Sequence, residues 1–259
     1  MELYISQSII SYMANLESLM ILAGGRGTRF KEYTEEIPKP MIQANGKPLL
    51  IHIIDLYKKF DIKNVVILAG YKKEVISDYF LENSTPVDLK QNIYLYDQKV
   101  NITILDTGLD TMTGGRIKQG AELIDEDMFY MTYGDGIANV DIEKLTNFHI
   151  SNKAKVTLTA VRPPARFGSL DLKNDKVIKF GEKDSTNEGW INGGYFVLNR
   201  DIVNNIDNLD SVFEKEPLEQ VALEGKLFAY KHESFWQCVD TIRELEILEA
   251  ALRNNKIST

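Results

Sequence analysis

Residues 22–29 read Leu-Ala-Gly-Gly-Arg-Gly-Thr-Arg and continue the apolar run Leu19-Met20-Ile21. An apolar run that ends in glycines predicts a buried parallel strand passing into a tight loop. Two phosphate-binding loops can be tested against this string. The dinucleotide fingerprint needs G-x-G-x-x-G and an acidic residue about 20 positions further on. Here Gly25-Arg26-Gly27 is followed by Phe30 where the third glycine belongs. The next apolar run, NVVILAGY (64–71), ends in Gly70 and Tyr71 without an acid. The P-loop string G-x-x-x-x-G-K-[ST] is absent. On these residues alone a turn that serves only chain geometry stays open.

Outward from this turn, strands and helices alternate. Residues 47–60 carry apolar side chains at helical spacing, 64–71 form a second strand, 72–81 a helix, and 101–108 a third strand. Helix 113–124, strand 128–136, helix 141–150 and strand 155–163 follow, and 240–256 closes the chain as a helix. The pattern predicts an α/β fold with a mixed, mostly parallel central sheet flanked by helices. In such sheets ligands sit beyond the carboxyl ends of the strands. LAGGRGTR, DTG (106–108), YGDG (133–136) and VRPPARFG (161–168) would therefore converge on one edge. Residues 1–17 read as an N-terminal extension and 18–259 as one domain, with a first half to about 140 and a second half from about 141.

Composition narrows the partners. With 44% hydrophobic and 26% charged residues the chain has the balance of an ordinary globular protein. A net charge of -8 disfavours nucleic acid as a partner. No run of about 18 uncharged apolar residues exists, so no membrane insertion is expected. The single cysteine, Cys238, allows no disulfide framework and fits the reducing cytoplasm.

Lys39 is the first residue to point beyond chain geometry. It lies between Pro38 and Pro40, which predicts a stiff, non-helical strip holding one cation near the glycine-rich turn. L-A-G-G-x-G-T-R followed by P-K-P-M resembles the sugar-phosphate nucleotidyltransferases. DTGLDTMTGGRIK (106–118), TYGDGIANVDI (132–142), RPPARFGSL (162–170), INGGYFVL (191–198), EKEPLE (214–219) and FWQCVDT (235–241) extend the likeness. These strings resemble the glucose-1-phosphate cytidylyltransferase family from residue 18 to about 255. The chain departs from that family at Asp184, where E-K-P is usual, at Cys238-Val239, where Pro-Met is usual, and at IHIID (51–55).

The resemblance implies a Rossmann-like fold, a homo-oligomer, and transfer of CMP from CTP to a phosphorylated acceptor with Mg²⁺. The acceptor is glucose 1-phosphate or, in a related sub-branch, phosphoglutamine. It implies that Leu22, Ala23, Gly24, Gly25, Gly27, Thr28 and Arg29 hold the triphosphate, with Thr113, Gly114, Gly115 and Arg116 beside the base. Lys39, Arg29, Asp135 and Lys183 would be catalytic, Asp135 and Asp240 would hold the metal, and Glu182, Lys183, Asn192 and Tyr133 would hold the acceptor. Read without the resemblance, Asp135 fits a turn and Asp240 a helix N-cap. A nucleotide-sensing module without turnover and an NAD-dependent oxidoreductase are the rival classes.

Overall fold

A computed structural model describes residues 16–30, 34–163, 169–173, 176–181, 189–254 and 256–257; for Arg29, 169–173 and 177–181 it describes the backbone alone. In chain order the elements are β1 (Ser18–Ala23), the hairpin β2 (Gln43–Ala44) and β3 (Lys47–Pro48), α1 (Leu49–Lys58), β4 (Asn64–Ala69) and α2 (Lys73–Asn83). β5 (Thr85–Asp88), β6 (Ile93–Tyr96), β7 (Val100–Asp106), α3 (Thr113–Gly120), β8 (Met128–Tyr133), β9 (Gly136–Ala138) and α4 (Ile142–Ser151) follow. β10 (Val156–Val161), β11 (Ser169–Lys173), β12 (Lys176–Gly181), β13 (Ile191–Asn199), α5 (Glu216–Leu223), β14 (Leu227–Lys231), β15 (Trp236–Cys238) and α6 (Ile242–Arg253) complete the chain.

Nine of these strands form one sheet in the order β14-β10-β13-β8-β1-β4-β7-β6-β5. β8, β1, β4 and β7 run parallel, as do β10 and β14. Only β13 and β6 point the other way. The sheet is thus mixed and mostly parallel in strand direction, as the alternation predicts. The edge strand β14 and the hairpin β5–β6 escape it; the short runs at 85–96 carry no clear helix-or-strand period.

Period-2 alternation sorts the strands' side chains onto two faces. Leu19, Ile21, Val65, Ile67, Tyr130 and Tyr195 join a core capped by residues of α1, α2, α4 and α6. Met20, Leu22, Val66, Leu68, Met131 and Phe196 join the opposite core, capped by Ile117 of α3 and by Leu218 and Val221 of α5. Burial on both faces explains why these strands read as continuous apolar runs.

Register then places the loops. Ala23 pairs with Ala69, Ala69 with Asp106, and Leu22 with Tyr133, so four parallel strands end at one level. Antiparallel β13 enters the sheet at that same edge, Ile191 paired with Val161 and Tyr195 with Thr132. The segment from 162 to 190 therefore leaves and re-enters at neighbouring positions of one ladder.

Candidate active site

Two clefts open at this edge. The first, of about 620 Å³, is lined by residues 22–28, Lys39, Pro40, residues 109–113, Arg116 and Tyr133–Asp135. The second, of about 780 Å³, is lined among others by Tyr133, Asn192, Gly193, Trp236, Thr241 and Arg243. Tyr133, Asp135 and Asp240 belong to both walls.

A short ribbon brings the two carboxylates together. Gly136 of β9 pairs with Cys238 of β15, and Val239 N donates to Asp135 O at 3.0 Å. Tyr195 Oη donates to Gly136 O at 2.9 Å and Trp236 Nε1 to Gly193 O at 2.7 Å, fixing the ribbon to β13. Asp240 is not the cap of α6: Thr241 is, its Oγ1 accepting from Glu244 N. The capping duty expected of Asp240 from its sequence position thus falls to its neighbour.

Lys39 Nζ donates to Asp135 Oδ2 and to Asp240 Oδ1, each at 2.6 Å. Burial alone would lower its pKa; Asp135 and the remaining charges and hydrogen bonds outweigh that and hold it above its ordinary value, so the ammonium stays charged. Lys39 does not lie in an extended strip. It opens a 3-10 turn over Lys39–Met41 behind an extended Pro38, a turn that Pro40 tolerates because its missing N–H is not needed there. Asp135, Cys238 and Asp240 can bring one ligand atom each to within 4.8 Å of one another. The two carboxylates are the hard oxygen donors that Mg²⁺ takes. Burial and the nearby Asp135 charge push the Cys238 thiol well up, which keeps it protonated and unsuited to act as a nucleophile.

The glycines of the first cleft have unequal jobs. A Cβ on Gly24 would lie 2.1 Å from Arg116 Nη1, and one on Gly70 would lie 2.6 Å from it. The matching Leu-Ala-Gly ends of β1 and β4 thus make room for a side chain of α3. Arg116 is buried and donates to Gly24 O at 3.2 Å, Ala69 O at 3.2 Å, Gly108 O at 2.8 Å and Leu109 O at 3.3 Å, and to Thr107 Oγ1. One guanidinium joins three strand-end loops, using its planar fork of donors. Gly25 meets nothing within 4 Å and faces open space, while Gly27 holds a φ of +61° that closes the turn. Gly114 and Gly115 do not line the cleft. Their missing side chains admit the backbone of Ser211 and Leu209, at 2.7 Å and 2.4 Å from the would-be Cβ atoms.

The structure thus brings together Leu22, Ala23, Gly24, Gly25, Gly27, Thr28, Lys39, Thr113, Tyr133, Asp135 and Asp240, and places Asn192 across from them in the second cleft. Glu182, Lys183 and the side chain of Arg29 lie outside the described residues. Two site residues escape the sequence reading. Glu214 accepts hydrogen bonds from Tyr133 and Thr113. Arg243 lines the second cleft from the first turn of α6. Its signal is a cation at a helix N-terminus, where the macrodipole disfavours one.

A parallel-ended sheet with a glycine-rich first loop and a paired-carboxylate site at its carboxyl edge is the architecture of a nucleotidyltransferase. The chain matches the family Nucleotidyl transferase over residues 18–251 and belongs to it. It is 42% identical over 247 residues to glucose-1-phosphate cytidylyltransferase of Salmonella typhimurium (strain LT2), covering 92% of this chain and 96% of the relative. It is 38% identical over 235 residues to a probable glucose-1-phosphate cytidylyltransferase of Bacillus subtilis (strain 168), covering 87% and 92%. Among solved structures, HddC from Yersinia pseudotuberculosis matches with a TM-score of 0.68 at 25% identity over 92% of this chain and 100% of the other.

Proposed function

We propose that this chain is a cytidylyltransferase that transfers CMP from CTP to glucose 1-phosphate. The observation that carries the reading is the meeting of two clefts at one carboxylate pair, Asp135 and Asp240, with Lys39 between them. The likeness to the Salmonella and Bacillus cytidylyltransferases supplies the base and the sugar.

In the proposed reaction an acceptor phosphate oxygen attacks the α-phosphorus of CTP. The bond to the bridging oxygen breaks, and pyrophosphate leaves with that electron pair. A phosphate monoester has a second pKa near 6, so its oxygen is ionised at neutral pH and no general base is required. The barrier is chiefly repulsion among anions, so positioning and charge neutralisation carry the rate. The backbone around Gly25 and Thr28 would approach the triphosphate from the open side of the first loop. Lys39 would supply a fixed positive charge beside the reacting phosphorus. Asp135 and Asp240 would hold Mg²⁺, whose chemistry when bound is to neutralise phosphate charge. Arg29 would join the triphosphate side; Glu182 and Lys183, with Asn192, would join the acceptor side. Thr113 would border the base. We place the enzyme in the cytoplasm as a homo-oligomer; among the described residues no helix is long and apolar enough to cross a membrane.

Pyrophosphate release tests this directly, with CTP, UTP, dTTP and GTP each offered glucose 1-phosphate or phosphoglutamine, with and without Mg²⁺. Turnover confined to CTP, glucose 1-phosphate and metal is the expected result. Turnover with phosphoglutamine alone would move the acceptor assignment, and CTP binding without any pyrophosphate would leave a sensing module.

A further inference from the structure

We infer that Glu214 is a positioning residue that couples the two clefts by fixing the direction in which Asn192 offers its hydrogen bonds. The inference rests on the two-cleft reading above and deepens it on the acceptor side.

Glu214 lines neither cleft, yet it touches a wall of each. Its Oε2 accepts from Thr113 Oγ1 at 2.6 Å, and its Oε1 accepts from Tyr133 Oη at 2.5 Å. An ionised carboxylate can only accept, so both hydroxyl protons must point at Glu214. Two consequences follow. Thr113 Oγ1 is left with its lone pairs, one of which accepts from Phe213 N at 2.9 Å. Tyr133 Oη is likewise left as an acceptor, and Asn192 Nδ2 donates to it at 3.3 Å.

Asn192 is held at its other end as well, because its Oδ1 accepts from Gly194 N at 2.9 Å. An asparagine amide is a symmetric shape with opposite polarity at its two ends, and its orientation follows from the network around it. Here the network runs Thr113, Glu214, Tyr133, Asn192. With one Nδ2–H committed to Tyr133 and Oδ1 engaged by Gly194 N, Asn192 keeps its second N–H to offer a ligand. Such a donor suits a hydroxyl or phosphate oxygen of a sugar phosphate.

A purely structural role makes a different prediction. The segment that carries Glu214 is already tied to the first cleft through its backbone, with Met112 N donating to Leu209 O and Gly114 N donating to Ser211 O, both at 2.9 Å. Removing the carboxylate leaves those bonds in place. Its loss should therefore act on the direction of the amide more than on the attachment of the segment.

The test is a double-mutant cycle on the full chain, read by pyrophosphate release. Glu214→Ala should raise the acceptor KM about tenfold, the loss expected for one charge-assisted hydrogen bond, and should change the CTP KM far less. Glu214→Gln, which still accepts from one hydroxyl, should recover part of that loss. Tyr133→Phe removes a single oxygen and should reproduce the acceptor effect; it also serves if Glu214→Ala fails to fold. In an Asn192→Ala background, Glu214→Ala should no longer move the acceptor KM, because the residue it acts through is gone. An acceptor KM within twofold of the parent in both Glu214→Ala and Tyr133→Phe, or an effect undiminished in the Asn192→Ala background, overturns the inference. A parent enzyme inactive with CTP on every acceptor would instead overturn the proposed function.

Discussion

The two clefts share Asp135, Asp240 and Tyr133 but are built on different plans. The first is made from the ends of parallel strands and from short contiguous stretches, 22–28 and 109–113, with Gly24, Gly25, Gly27 and Gly134 in its lining. Its shape is held by Arg116 of α3, which donates to Gly24 O, Ala69 O and Gly108 O at the ends of three strands. The second is made from an antiparallel strand, a two-stranded ribbon and the start of α6, and its polar groups are side chains drawn from distant parts of the sequence. A cleft of the first kind presents fixed N–H groups and tolerates little change. A cleft of the second kind can be altered one side chain at a time. This difference suits a fixed triphosphate on one side and a variable acceptor on the other.

The sharpest way to break the comparison is at the shared pair. Asp135→Asn and Asp240→Asn should each lower kcat/KM by roughly 10²–10³-fold while the protein stays folded, and should do so whichever substrate is varied. A variant that loses affinity for one substrate alone would show that the pair belongs to a single cleft.

The next effect separates the two neighbouring glycines of the first loop. Gly24→Ala drives a methyl group into the Arg116 guanidinium and should cost about 1–3 kcal/mol of stability by overpacking, with a raised CTP KM. Gly25→Ala meets nothing within 4 Å, so its stability should stay within about 0.5 kcal/mol while the CTP KM rises. Chemical denaturation alongside kinetics reads both. Equal destabilisation would refute the division of labour between them.

A smaller effect belongs to the second cleft alone. Arg243→Ala should raise the acceptor KM about tenfold and leave that for CTP unchanged, as the loss of one charge-assisted contact. An equal rise in both would place Arg243 outside acceptor binding.

The smallest effect is one of pH and falls on both halves of the chain. His52, against Ala44 O, and His149, between Thr157 and Asn199, are buried, and burial is the main cause lowering both pKa values below about 6.5. The unfolded chain then binds more protons than the folded one. Stability should fall as pH drops through about 6.5 toward the folded pKa, by at most about 1.4 kcal/mol per pH unit for each histidine. Lys39 has the opposite sign, its pKa being raised: its contribution is complete below about 10.5 and fades only as pH rises through the folded value. Urea titrations between pH 5 and 8 should therefore show loss on the acid side only.

The fold was legible because buried parallel strands and amphipathic helices leave long, regular patterns, as in 64–69 and 242–253. The site was legible where its chemistry is contiguous. Gly27 could be placed from the turn it closes, whereas the partner of Gly24 lies 92 residues away in α3 and leaves no local trace. Asp135 and Asp240 illustrate the same limit. Taken one at a time each fits a bland role, and only the β9–β15 ribbon makes them neighbours. Thr241, one residue on, performs the cap that Asp240 was read to provide. The 3-10 turn at Lys39 shows that a proline on either side restricts a residue without making it extended.

The pairing of Val161 with Ile191 has a consequence for how such enzymes diversify. Val161 and Ile191 are partners on one rung, so the chain leaves the ladder and returns to it at adjacent positions. An exchange of the residues between those two positions would leave both ends of the ladder where they are, so a lineage, or an engineer, could trade one insert for another and carry the phosphate-activating half along.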